Sequence, residues 1–273
     1  MPILTPLRSG FGSSEQPPDF AHPPLIEVWL GLELALPSDF TLIEAAQWRN
    51  RLGPEWLGAW ESIGAAERHS PGTTLVERQL CNVMGDRAIR FHAEGFSFGW
   101  LGYDGCLYPR YEAIRDGFVA TLDAVRDVAP TLGQPVRWTV SYVNRIPQGT
   151  VWNTDADWTF FKLWQPGPLQ KLKLATKGFA GRWQYPLDAG RSELTIELSH
   201  ETAASVLRDT VLRDPVQRDT ESLWLRITTV GAIESDETSL FDGMDYGRET
   251  IVRAFSELVT TDARQFWGAA LRK

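Results

Sequence analysis

The chain has 273 residues, 43% hydrophobic and 23% charged, which is the balance of a globular protein with enough apolar material for a sizeable core. Its net charge of −8 argues against nucleic acid as a partner, because phosphate binding draws on basic charge. Two cysteines, Cys81 and Cys106, without CxxC spacing rule out a disulfide framework and a zinc ribbon and suggest reduced thiols in a cytoplasmic protein.

Residues 1–20 carry Gly10, Gly12, Ser13, Ser14, Pro17 and Pro18 and read as a loose tail, neither signal peptide nor anchor. No stretch approaches the ~20 apolar residues of a membrane helix. Leu25–Leu36 alternates, with Ile26, Val28, Leu30, Leu32 and Leu34 on one face and Glu27, Trp29 and Glu33 on the other, and predicts a strand. A helix follows from the Ser38-Asp39 caps, with Leu42, Ala45, Ala46 and Trp48 as its stripe and Gly53-Pro54 as its stop. Strands are expected over Thr74–Val83, Ala88–Glu94 and Phe96–Tyr103, turned by Gly85-Asp86 and Gly95 as in antiparallel hairpins. The spacing of Tyr111, Ile114, Arg115, Phe118, Leu122 and Val125 predicts a helix from Tyr108 to about Val128.

Pro135–Pro147 is expected to be the central strand, with Val136, Trp138, Val140 and Tyr142 on one face. A polar-aromatic stretch then runs from Gln148 to Pro168. Further strands are expected at Leu169–Tyr185, Ser192–Leu198 and Ser222–Val230, with a helix over His200–Arg213 capped by Ser199. The last long helix is expected from about Tyr246 to Val259, and Thr260-Thr261-Asp262 recaps a short one behind it. The expected fold class is therefore α+β, with antiparallel sheets and helices packed on one face. A tail over 1–20 precedes one strand-and-helix half over 21–147 and another over 148–273. Their common order suggests two similar halves, although no sequence repeat is visible.

Three motifs taken in order carry a family resemblance. They are Pro23-Pro24-Leu25-Ile26-Glu27-Val28, Tyr142-Val143-Asn144-Arg145-Ile146, and Arg248 to Phe255 followed by Trp267-Gly268. The chain resembles a sporadically distributed bacterial family of about this length to which no activity is assigned. In that pattern a His is common just before the Glu of the last helix, where this chain has Arg248. The resemblance supplies no catalytic residues. Its patchy distribution implies a bacterial conflict or defence setting.

Candidate chemistry is sparse. His92 and Glu94 share a strand face but lack a third ligand, so no metal is expected. Glu193 and Glu197 fit the solvent side of a half-buried strand. Asp242, Asp245 and Glu249 fit the acidic start of a helix. Asp155 and Asp157 flank Ala156 beside Trp152 and Trp158; they can form an acid–base pair against aromatics or an exposed acidic turn. Of the polar pair Asn144 and Arg145 in the central strand, Arg145 can reach a carboxylate or phosphate, or an acidic partner at the junction of the halves. No GxSxG elbow, Walker loop, strand-following GxGxxG or HExxH is present, and no cofactor is implied.

These features favour a non-catalytic cytoplasmic binding protein. Its partner would be another protein, or a small ligand in a cleft between the halves lined by Trp152, Trp158, Asp155, Asp157 and Arg145. The alternative is an enzyme without a familiar motif, working on a small molecule in an aromatic-lined cavity. A third reading, RNA binding through Lys171, Lys173, Lys177 and Arg182, runs against the acidic total.

Overall fold

Alternation of apolar and polar side chains from Val136 to Tyr142 makes Pro135–Pro147 a strand, and that strand lies inside the sheet, beside its middle strand. A computed structural model describes residues 19–34, 48–56, 61–62, 78–92, 95–102, 107–128, 134–164, 178–201, 221–233 and 237–269. The described strands are β1 (Leu25–Leu34), β2 (Glu61–Ser62), β3 (Arg78–Cys81), β4 (Arg87–His92), β5 (Gly95–Leu101), β6 (Pro135–Pro147), β7 (Ala180–Leu187), β8 (Ser192–Glu201) and β9 (Ser222–Ala232). They form one nine-stranded sheet in the order β2-β3-β4-β5-β1-β6-β9-β8-β7, with every neighbouring pair antiparallel. Helical residues 48–52, at the end of the first expected helix, and helices α1 (Tyr111–Val128), α2 (Glu237–Leu258) and α3 (Thr261–Phe266) add the α part of the α+β fold. The sheet is continuous across the expected boundary at residue 147, since β6 pairs with β1 on one edge and with β9 on the other.

Period-two register builds the core. Leu30 faces Phe98 on β5 and Val140 on β6, while Leu32 faces Phe96 and Trp138, and all of them are buried. Helix α1 lays Ile114, Phe118, Leu122 and Val125 into this layer, as its 3.6 period requires, and Phe118 stacks on Phe96 at 5.5 Å. Glycines allow the helix backbones to come close. Gly117 of α1 abuts the Phe98 ring, and Gly243 and Gly247 of α2 straddle the Trp138 ring together with Gly231 of β9. A Cβ at any of these positions would overlap the ring it faces, so the large aromatic and the missing side chain are two parts of one contact.

Several sequence expectations shift. The last long helix begins at Glu237, well before the expected Tyr246. Gly243 and Gly247 weaken its local helix signal, yet buried Leu240 and Met244 extend the same stripe as Ile251 and Phe255. His200, the expected first residue of a helix, is the penultimate residue of β8 and pairs with Leu223. It occupies the next inward position after Leu194, Ile196 and Leu198, so a polar residue in the core marked a false strand end. Ile26 is not part of the regular alternation, because the β1–β6 register shifts between Leu25 and Glu27. Trp29, expected on the polar face, is buried there beneath the Arg90 guanidinium, 3.7 Å from its ring centroid, and donates its N–H to Glu27 at 2.8 Å. The expected helix residues before Trp48 and after Glu201, the strand start at Leu169, Glu94, Cys106, Lys171, Lys173 and Lys177 all lie outside the described residues.

Candidate functional site

The polar-aromatic stretch after β6 folds into a 3-10 turn over Asp155–Phe160. Trp152 and Trp158 point inward from it and are 1% and 2% exposed. Trp152 donates its ring N–H to the Ile146 carbonyl at 2.9 Å, while Trp158 packs among Trp164, Phe179 and His200 with its own N–H unpaired. Asp157 is exposed and accepts the Asn153 and Thr154 backbone N–H groups, each at 2.9 Å. Arg145 lies on the opposite face of β6 from Asn144 and donates from Nε to the Ser222 hydroxyl at 3.1 Å. Asp155 opens the turn, half-buried. The tryptophans serve the core, Asp157 serves the turn and Arg145 meets β9 through Ser222.

The two backbone donors hold the Asp157 carboxyl below its usual pKa of 3.8. A group depressed in this way contributes stability above its unfolded pKa and loses it as pH falls through the folded value. Asp157→Ala is therefore expected to lower the melting temperature at pH 7, with the gap to the parent closing as the pH is taken below 3.8. A gap independent of pH over that window would rule out the carboxylate as its cause.

Two acids of the last helix also have a different use from the expected one. Because α2 starts at Glu237, Asp245 and Glu249 sit in mid-helix, away from the positive end of the dipole. Asp245 accepts the Tyr111 hydroxyl at 2.8 Å and pairs with Arg115 at 3.3 Å, tying α2 to α1. Glu249 pairs with Arg253 at 2.7 Å. Among the described residues, no group of three or more His, Cys, Asp or Glu side chains is placed to hold a metal ion.

Polar groups converge elsewhere, in a pocket of about 80 Å³ where β1, β6, α1 and α2 meet. Strand β6 contributes Tyr142 and Asn144, two apart and so on one face. The β1 bulge at Ile26 sets Leu25 opposite Asn144 at the same end of the sheet. Tyr111 opens α1 and Tyr108 lies in the non-helical segment just before it, while Arg248, Ile251, Val252 and Phe255 line one face of α2. Arg110, also in the lining, has φ of 74°, a left-handed conformation costing about 1–2 kcal/mol for a residue with a Cβ. Its guanidinium is held by Asp19 at 2.9 Å on the rim.

Hydrogen-bond capacity is left over inside. The Tyr108 and Tyr142 hydroxyls are 3.3 Å apart, so one donates to the other and the second hydrogen stays available. Burial pushes the Tyr142 phenol well above its ordinary pKa. Burial likewise raises Tyr108, against the lowering pull of the Tyr142 hydrogen bond and of Arg248. Tyr111 is raised by burial and by its bond to Asp245. All three are therefore neutral donors around pH 7. Arg248 stands 5.7 Å from the Tyr111 ring centroid, its Nε is buried without a hydrogen-bond partner, and it forms no ion pair among the described residues.

The sequence carried part of this site. Asn144 stood out with Arg145 as the polar pair of the central strand, and Arg248 as a departure from a family pattern. Which of Asn144 and Arg145 faces the pocket depended on the β1–β6 pairing. Tyr108 and Tyr111 looked like the apolar start of a helix, since nothing local reveals where a phenol's hydroxyl points.

The chain matches no protein-family model and no curated protein. Among solved structures it is similar to a rolling circle replication initiator protein from Geobacillus stearothermophilus. The alignment has 8% identity and a TM-score of 0.22 over 90% of this chain and 91% of that one, a likeness too slight to bear on fold or function.

Proposed function

We propose that this chain is a non-catalytic binding protein that takes a small molecule in the pocket between two similar halves. The observation that carries this reading is Arg248, a guanidinium with no ion-pair partner among the described residues, beside neutral tyrosine donors and an apolar wall. Raised phenol pKa values favour holding a ligand over abstracting a proton from it. The duplication is supported by strand order. β1 leads outward to β5, β4 and β3 with α1 following, β6 leads outward to β9, β8 and β7 with α2 following, and the two series meet at the β1–β6 pair. Phe118 of α1 lies on Phe96, Gly243 of α2 lies on Trp138, and both rings are cross-strand partners of Leu32, which supports helices sharing one face. No helix among the described residues is long and apolar enough to cross a membrane. A cytoplasmic site and a bacterial conflict or defence setting belong to the same proposal, the latter resting on the family resemblance alone.

Blocking the pocket tests the reading. Val252 is half-buried in its wall, so Val252→Trp should fill it without unfolding the chain. Small molecules that raise the melting temperature of the parent should lose that effect in the variant; a ligand at about 100 times its Kd would contribute about 2.7 kcal/mol. Equal stabilisation of both proteins, or none of the parent by a broad small-molecule library, would refute a pocket-bound ligand.

A further inference from the structure

We infer that the pocket's ligand is a small monocarboxylate, with its carboxylate on Arg248 and on the free hydroxyl hydrogen of the Tyr108–Tyr142 pair, and its apolar body against α2. This deepens the proposed function and rests on it. An uncompensated guanidinium taken partly out of water is unfavourable, and an anion that pairs with it relieves the cost. Guanidinium and carboxylate are both planar, so the two can meet by parallel N–H···O bonds, with a hydroxyl able to take a remaining lone pair.

Charge in the lining selects for one negative charge. Among the described residues, four charged side chains surround the space: Arg248, Arg110, Asp19 and Glu112. Arg110 is already paired with Asp19, and Glu112 is an exposed acid at the rim. A single anionic group at Arg248 completes an ion pair. A doubly charged phosphate monoester would bring a second negative charge toward Asp19 and Glu112. Apart from Asn144 and the tyrosines, the rest of the wall is apolar, formed by Phe20, Pro23, Leu25, Ile251, Val252 and Phe255. At about 10–15 Å³ per water-sized group, the 80 Å³ of free space admits about six such groups. That size fits a short branched aliphatic chain or the six carbons of a single ring, as the body of the acid.

The test uses the full chain and four probes: 3-methylbutanoate, benzoate, benzamide and phenyl phosphate, titrated by calorimetry at neutral pH. One of the two acids should bind. Benzamide, the neutral isostere of benzoate, and phenyl phosphate should each bind at least about tenfold more weakly than that acid. Arg248→Met should abolish the acid's advantage over the amide. Arg248→Lys, which keeps the charge but not the fork, should retain only part of it. The melting temperature of each unliganded variant reports that it is folded. Three results would overturn the inference: acid and amide binding the parent equally, the acid's advantage surviving Arg248→Met, or neither acid binding in the millimolar range. In each of these cases the Val252→Trp comparison with a neutral ligand still decides the pocket reading on its own.

Discussion

Phe118→Ala is expected to remove about 3–5 kcal/mol of stability. Phe118 is wholly buried, stacks on Phe96 at 5.5 Å and belongs to the turn of α1 that lies on β5. Truncation loses the transfer free energy of the ring and leaves a cavity that neighbouring Ile114 and Leu122, fixed on the same helix, cannot collapse to fill. Phe266→Ala provides the control: Phe266 is 57% exposed, and its loss should fall within about 0.5 kcal/mol of zero. Urea melts of both variants measure the difference. A Phe118→Ala loss below about 1 kcal/mol would mean that α1 does not pack as described.

Trp158→Ala should destabilise by a similar amount, about 3–5 kcal/mol, and leave ligand affinity at the Arg248 pocket unchanged. The indole is enclosed by Trp152, Trp164, Phe179 and His200 and is absent from the pocket wall. Trp158→Phe sharpens the comparison, because it keeps most of the ring and removes a buried N–H that has no partner. Its cost should therefore be well below that of alanine. Loss of binding by Trp158→Ala with stability intact would reverse the assignment and return the site to the aromatic stretch.

This contrast shows what a cluster of tryptophans can mean. Five aromatics between Trp152 and Trp164, mixed with acids, imply that the segment covers something, since so much apolar area is costly in water. The sequence does not say whether it covers a ligand or its own core. Trp152, Trp158 and Phe161 are each 2% exposed or less, so here they cover the core. Their aromatic character was legible; the direction of each ring was not, because the 3-10 turn that aims them has no long periodicity.

The sequence alone determined the strands and helices whose burial follows a fixed period. Central strand Pro135–Pro147 and the stripe of α1 from Tyr111 to Val125 were readable because local geometry repeats every 2 or about 3.6 residues. It also determined the absence of the common catalytic signatures. Tertiary structure decided how far α2 extends, since Gly243 and Gly247 are poor helix formers that become favourable only against the Trp138 ring. It decided that β8 runs on through His200, because pairing with β9 outweighs one polar residue at an inward position. It also brought Tyr108, Tyr142 and Arg248 together from separate parts of the chain around one pocket. Such a site leaves no local pattern, because its side chains become neighbours only when the sheet aligns β6 with β1 and the helices pack across the pair.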